Sequence, residues 1–265
     1  MKRISVNGHE LHVFDRGEGS PILFVHGFPL NHTVWQGQLD EFATINRVIA
    51  PDLRGFGNSG VTEGTVTMEQ FADDLNLLLD ALNIIEPITY CGLSMGGYIG
   101  WQFVRKYPDR LKALILCDTK AAADTPEGVK TRKNMARKVL LFGLKSAVRT
   151  MLPTLVSEKT NAERQDVLEK LREMIMSTKR KSIAAALRGM SERPDSTELL
   201  AKINVPTLAI VGSEDSLIPP AEMRQMAETI PDARFVEISD AGHLAPMEEP
   251  QTVNAAMGRF LEAVG

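Results

Sequence analysis

The sequence predicts an α/β protein: a mostly parallel, eight-stranded sheet with helices packed on its faces. Three observations predict it. Short apolar runs alternate with helical patterns up to Cys117 and again after about residue 206, as expected of strands buried on both faces and joined by crossover helices. Between Asp118 and Leu200 the alternation stops and only helical periodicity remains. A length of 265 residues with 43% hydrophobic residues fits one core that carries an insertion.

The first two strand runs, Ile4 to Val6 and Leu11 to Phe14, flank Asn7-Gly8, a pair that tolerates the positive φ of a tight hairpin. Pro21 to Val25 is the third. Arg47 to Ala50 leads into a helix over Met68 to Leu82, and Ile88 to Cys91 into a helix over Met95 to Tyr107; Leu111 to Cys117 is the sixth run. In the insert the helical pattern is plainest over Asp166 to Leu171 and Ser182 to Leu187. The chain then returns to a strand over Thr207 to Val211, a helix over Pro220 to Ile230, a strand over Arg234 to Ile238 and a last helix over Pro250 to Val264. Pro219 and Pro220 suit a helix start, where the missing N–H costs nothing. The expected division is a body of residues 1–118 and 201–265 with a helical cap of residues 119–200 inserted after the sixth strand.

Charge separates the two parts. The insert holds 17 basic and 10 acidic residues, a balance of +7, which leaves −11 for the body and −4 for the chain. The insert's excess reads as a solvated helical face, as a lid that guides an anionic substrate, or as a lid that docks on the acidic body. The acidic balance excludes an electrostatic nucleic-acid binder, which needs excess cations. No run approaches the eighteen apolar residues of a membrane helix, and the first residues lack the apolar stretch of a secretory signal. Cys91 and Cys117 make neither a disulfide framework nor a zinc site and are expected as buried strand thiols. A cytoplasmic protein follows, with no membrane partner, no metal and no organic cofactor; the oligomeric state stays open.

The chemistry concentrates in Gly92-Leu93-Ser94-Met95-Gly96. G-x-S-x-G is a weak signal alone, but here it follows a strand run and opens a helix, the context of a nucleophile elbow. Such a turn strains the serine and lifts its hydroxyl to the strand's C-terminal edge; side chains at Gly92 and Gly96 would collide with neighbouring backbone. A serine hydroxyl needs a base. Of five histidines, His9 and His12 lie in the opening hairpin and are expected at the surface. His243 follows the last strand, at the sheet edge where sites of open α/β sheets form, and is the candidate base. Asp215 and Asp118 each follow a strand and either suits the orienting carboxylate; chain order does not decide between them.

These residues resemble the α/β-hydrolase superfamily over essentially the whole chain. The resemblance rests on His26-Gly27-Phe28-Pro29, on Asp52-Leu53-Arg54-Gly55-Phe56-Gly57-Asn58-Ser59, on the Gly-Leu-Ser-Met-Gly-Gly elbow, on the Gly-x-Glu-Asp segment ending at Asp215, and on Ala241-Gly242-His243. It implies a twisted sheet of that fold, Asp215 as the acid, and an oxyanion hole from the backbone N–H groups of Phe28 and Met95, a device worth about 3 kcal/mol or more. It also implies that His26 orders the oxyanion loop and that Asp52 and Arg54 stabilise theirs. His32 is expected at the surface rather than in the pocket.

Within the superfamily, the serine excludes the epoxide hydrolases and haloalkane dehalogenases, which use an aspartate nucleophile. The stretch from Cys117-Asp118-Thr119 to Thr125-Pro126-Glu127-Gly128 resembles the 3-oxoadipate enol-lactonase branch, and Pro29 the cofactor-free haloperoxidase (perhydrolase) branch. The expected function is a carboxylesterase-type serine hydrolase of a small ester or lactone, with water as second substrate. A lactonase or perhydrolase is the alternative, and a slow-turnover receptor or C–C bond hydrolase a more remote one. Met135, Met151, Met174, Met176 and Met190 are the insert residues expected either in the acyl pocket or in helix packing.

Overall fold

The opening hairpin forms because Asn7 (φ 49°) and Gly8 (φ 74°) take the left-handed conformation that a two-residue turn requires. The computed structural model describes residues 1–265, the side chains of 146 and 147 excepted. The strands are β1 (Lys2–Val6), β2 (His9–Arg16), β3 (Pro21–Val25), β4 (Arg47–Asp52), β5 (Ile88–Leu93), β6 (Leu111–Cys117), β7 (Thr207–Gly212) and β8 (Ala233–Ile238). They lie in the order β1-β2-β4-β3-β5-β6-β7-β8; β2 runs antiparallel to both its neighbours and every other pairing is parallel. All eight coincide with sequence-predicted runs, several of them longer. β2 extends to Arg16 because Asp15 pairs with Lys2 at 2.6 Å and with Arg47 at 3.0 Å across the two adjacent strands. Polar residues continue that ladder where the apolar pattern has already ended.

Helices α1 (Gln36–Phe42), α2 (Met68–Ala81) and α3 (Met95–Lys106) precede β6. Between β6 and β7 come α4 (Pro126–Phe142), α5 (Lys145–Met151), α6 (Glu158–Glu163), α7 (Gln165–Ser177), α8 (Arg180–Ser191) and α9 (Thr197–Leu200). Helix α10 (Pro220–Thr229) joins β7 to β8, and α11 (Ala245–Glu248) and α12 (Pro250–Val264) end the chain. Successive strand side chains point to opposite faces, so Leu23 and Val25 of β3 enter one apolar cluster and Ile22 and Phe24 the other. The first cluster holds Phe71 of α2 and Ile99 of α3; the second holds Leu39 of α1 and Phe260 of α12.

The helices after β6 add to both clusters. Val139 of α4 and Ile183, Leu187 and Met190 of α8 join the first; Leu168 and Leu171 of α7 join the second. Cys91 and Cys117 are buried in β5 and β6 as free thiols. No helix is long and apolar enough to cross a membrane among the described residues.

Candidate active site

The parallel strands deliver three polar side chains to one edge of the sheet. Ser94 stands between β5 and α3, Asp215 three residues past β7, and His243 five residues past β8. His243 Nε2 lies 2.8 Å from Ser94 Oγ, and its Nδ1 lies 2.8 Å from Asp215 Oδ2. The other oxygen of Asp215 accepts the backbone N–H groups of Leu217 (2.8 Å) and Ile218 (3.0 Å), which fixes the carboxylate's plane. Asp215 and His243 are each only 4% exposed, so this chain of hydrogen bonds is shielded from bulk water.

Ser94 has φ 51° and ψ −110°, a conformation that non-glycine residues rarely hold. It is held by its neighbours. Its N–H donates to Cys117 O (2.9 Å), and its carbonyl accepts from Thr119 Oγ1 (2.8 Å) and from the N–H groups of Gly97 and Tyr98. The turn is so tight that a Cβ on Gly92 would lie 2.6 Å from Gly96 O, and one on Gly96 2.2 Å from Val25 O. A Cβ on Gly27 would lie 3.3 Å from Ser94 Cβ, so the Gly27-Phe28 loop packs directly against the elbow. Met95 is the first residue of α3, where an N–H has no partner within the helix. The backbone of Phe28 and of Met95 therefore flanks Ser94.

Residues 20–250 match the family model of the α/β hydrolase fold. The chain belongs to that family. A thermophilic esterase from Thermogutta terrifontis, solved with malate bound, is 47% identical, with 100% of this chain and 99% of that one covered at a TM-score of 0.98. The enol-lactonase from Burkholderia xenovorans LB400 is 29% identical, with 98% and 100% covered and a TM-score of 0.92. Among curated proteins, 3-oxoadipate enol-lactonase 1 of Acinetobacter baylyi is 29% identical over 93% of this chain and 91% of its own length.

In this α/β-hydrolase the other predicted residues divide by what they touch. Buried His26 accepts the Leu53 N–H at Nε2 (3.0 Å), so Nδ1 carries the proton and donates to Gly27 O (2.9 Å). It thereby ties the loop after β3 to the loop after β4. Burial lowers its pKa to about 4, against the opposing pull of that bond and of Asp52. Asp52 accepts the backbone N–H groups of His32 (3.0 Å) and Asn58 (2.8 Å). Arg54, on the loop after β4, makes a buried two-pronged ion pair with Asp74 of α2 at 2.5 Å, which ties the loop to a neighbouring helix rather than bonding within it.

His32 lies neither at the surface nor in the pocket: it is half-buried with Nδ1 2.6 Å from Asp52 Oδ1. His9 and His12 are also half-buried, because the loop after β4 covers this part of β2: the N–H of His12 donates to Ser59 Oγ, and its Nδ1 stands 3.6 Å from Asp52. Asp118, the rival acid, points away from His243. Its Oδ1 accepts the Gly212 N–H (2.9 Å), its Oδ2 has no hydrogen-bond partner among the described residues, and burial with the nearby charge of Asp215 pushes its carboxyl well above the usual range.

A cavity of about 400 Å³ opens onto Ser94 and His243, with Phe28, Leu217 and Ile218 from the body on its walls. Of the five methionines, Met135, Met151 and Met190 line it. Met174 is buried in the second apolar cluster and Met176 is exposed, as helix packing dictates. Two features had no sequence signal. Glu248 accepts the N–H groups of both Gly242 and Ser157, 91 residues apart from it in the second case, and Asp124 receives both Arg132 and Arg193. Such pairings depend on tertiary neighbours, which no local period encodes. No group of three or more His, Cys, Asp or Glu is arranged to hold a metal among the described residues.

Proposed function

We propose that the protein hydrolyses small carboxylic esters or lactones through an acyl-enzyme, with Ser94 as nucleophile, His243 as base and Asp215 as the group that orients and stabilises the imidazolium. The observation that carries this reading is the unbroken relay from Ser94 Oγ through His243 to Asp215, with both links at 2.8 Å, at the floor of a cavity. The named relatives, an esterase and enol-lactonases, support the ester or lactone as the substrate class.

His243 Nε2 takes the proton from Ser94 as Oγ attacks the carbonyl carbon. The backbone N–H groups of Phe28 and Met95 receive the developing oxyanion, fixed dipoles that need no reorganisation. Collapse of the tetrahedral intermediate breaks the C–O bond, and His243 returns its proton to the departing alkoxide. Water, deprotonated by the same imidazole, then hydrolyses the acyl-enzyme. For a lactone the alcohol stays tethered to the acyl group, so the product is a hydroxy acid or its keto tautomer. Residues 119–200 act as the cap that walls the cavity.

The deciding experiment is kcat/KM over p-nitrophenyl esters from acetate to decanoate and over a set of lactones, with fluorophosphonate labelling. Turnover and labelling that both vanish in Ser94→Ala support the reading. Labelling that persists in Ser94→Ala removes Ser94 as nucleophile, and a single-turnover burst with no steady state identifies a receptor instead.

A further inference from the structure

Three consecutive residues at the end of β6 touch both halves of the triad. On one side, the Cys117 carbonyl accepts the Ser94 N–H (2.9 Å) and Thr119 Oγ1 donates to the Ser94 carbonyl (2.8 Å). Between them, Asp118 faces β7. Its N–H donates to Ile210 O (2.9 Å), an ordinary rung of the parallel ladder, and the next rung would carry the Gly212 N–H to the Asp118 carbonyl. Asp118 has φ 47°, so the chain leaves the sheet at this point, and its side-chain Oδ1 takes the Gly212 N–H instead (2.9 Å).

The acid and base loops converge on Gly212. Its carbonyl accepts the Asp215 N–H (3.1 Å), which closes the turn that presents the acid. A Cβ on Gly212 would lie 2.1 Å from Gly242 O and 2.4 Å from Ala241 O, so the segment just before His243 rests directly on it. The Glu214 N–H donates to Ala241 O (2.8 Å) and ties the two loops together. A shift of Gly212 is therefore passed to both Asp215 and His243, while Ser94 stays anchored to residues 117 and 119.

Two demands select the residue type at 118. A left-handed backbone favours Gly, Asn or Asp, and reaching Gly212 takes a short side chain that ends in an acceptor. A negative charge is not among the demands. Oδ2 is buried without a hydrogen-bond partner among the described residues, and burial with the nearby charge of Asp215 favours the neutral carboxyl.

We infer that Asp118 is a positioning residue of the triad: by holding the Gly212 N–H it fixes the end of β7, and with it the Asp215–His243 pair, relative to Ser94, and it acts as a hydrogen-bond acceptor rather than as a charge. The inference deepens the hydrolase reading above and rests on it for the reaction, though not for the geometry.

The test compares the parent chain with Asp118→Gly, Asp118→Asn and Leu78→Ala. Glycine removes the acceptor at a positive φ that costs it nothing, and asparagine restores the acceptor without the charge. Leu78 is buried near the end of α2 that leads into the start of β5, far from Ser94, so its truncation controls for general loss of stability. Two quantities are read: kcat and KM on p-nitrophenyl acetate, and the downfield proton resonance of His243 Nδ1–H, identified by its absence in His243→Ala. In Asp118→Gly, kcat should fall by about 10- to 100-fold with KM within about threefold, the signature of misplaced groups rather than lost substrate binding. The resonance should move upfield as the bond to Asp215 loosens. Asp118→Asn should return both quantities close to the parent, and Leu78→Ala should lose stability with kcat retained.

Parent kcat in Asp118→Gly, a fall in kcat with the resonance unmoved, an equal fall in Leu78→Ala, or an Asp118→Asn chain as impaired as Asp118→Gly each overturns the inference. If Asp118→Gly does not fold, Asp118→Ser takes its place; no folded chain from either makes Asp118 purely structural, which also overturns it. A parent chain that turns over no ester removes the hydrolase reading, while the resonance still decides the role of Asp118. Ester turnover with a resonance indifferent to Asp118→Gly does the reverse.

Discussion

Asp118 and Asp215 follow adjacent strands of the sheet, and only the direction of the side chain separates them. Asp215 turns toward His243, while Asp118, with φ 47°, turns to the Gly212 N–H. Asp215→Asn should lower kcat by roughly 10⁴, since the amide cannot orient the imidazole in the working tautomer. Asp118→Asn should keep turnover within a few-fold of the parent, because the amide oxygen can still accept the Gly212 N–H and the side chain makes no bond to His243. Steady-state rates of the two variants on one neutral ester check both, and the reverse pattern would transfer the acid role to Asp118. At this scale Ser94, His243 and the glycines of the elbow were legible in the sequence, because a strained turn constrains residue type locally. The environment of His32 was not: its partner, Asp52, lies twenty residues away in the chain.

Helix α11 is short, yet its last residue joins two distant segments. Glu248, 2% exposed, accepts the Gly242 N–H at Oε1 and the Ser157 N–H at Oε2, both at 2.8 Å. One contact supports the residue just before His243; the other anchors the segment before α6. Truncating the carboxylate leaves two buried donors without partners, each costing about 1–3 kcal/mol. Glu248→Ala should therefore lower unfolding stability by roughly 2–5 kcal/mol, and Glu248→Gln, which retains one acceptor, by about half as much. Denaturant midpoints at constant m measure this; a midpoint unmoved in Glu248→Ala would show that water takes over both contacts. Strands and long helices were legible at this scale because burial on fixed faces leaves a period. Within the insert, periodicity over 166–171 and 182–187 marked the middle of α7 and α8 but not their ends, or the short α5 and α6.

Over the whole molecule, the two apolar clusters extend without a break from the sheet into the helices after β6. Removing 126–191 across a short linker would take Val139, Ile183, Leu187 and Met190 out of the first cluster and Leu168 and Leu171 out of the second, so the shortened chain should lose cooperative unfolding and aggregate; calorimetry reads this directly. Stability should also depend on pH through two buried groups of opposite sign. His26, lowered to about 4 from 6.5 by burial, stays neutral in the native state while the unfolded chain takes up a proton, so its contribution of about 3 kcal/mol is complete above pH 6.5 and fades as pH falls to 4. Asp118, raised by burial and Asp215, acts the other way: the unfolded carboxyl ionises above pH 3.8 and the native one resists, so stability declines as pH rises. His26→Asn should flatten the curve between pH 4 and 6.5. Asp118→Asn should gain stability over the parent by an amount that grows as pH rises above the ordinary carboxyl pKa, and urea titrations at several pH values check both signs.

The sequence by itself determined the α/β architecture, the strand succession, the helical stretch between the sixth and seventh strands and the place of Ser94 on a strained strand–helix turn. Each of these is written in a local period, a turn requirement or a motif on a strand–helix junction. Only the tertiary structure decided which carboxylate meets His243, where Arg54 finds Asp74, how Glu248 joins the His243 loop to the insert, and that Arg132 faces the cavity while Arg137 faces solvent. Those facts depend on side-chain direction and on partners distant in the chain. Residue type and spacing along one strand or helix do not carry that information.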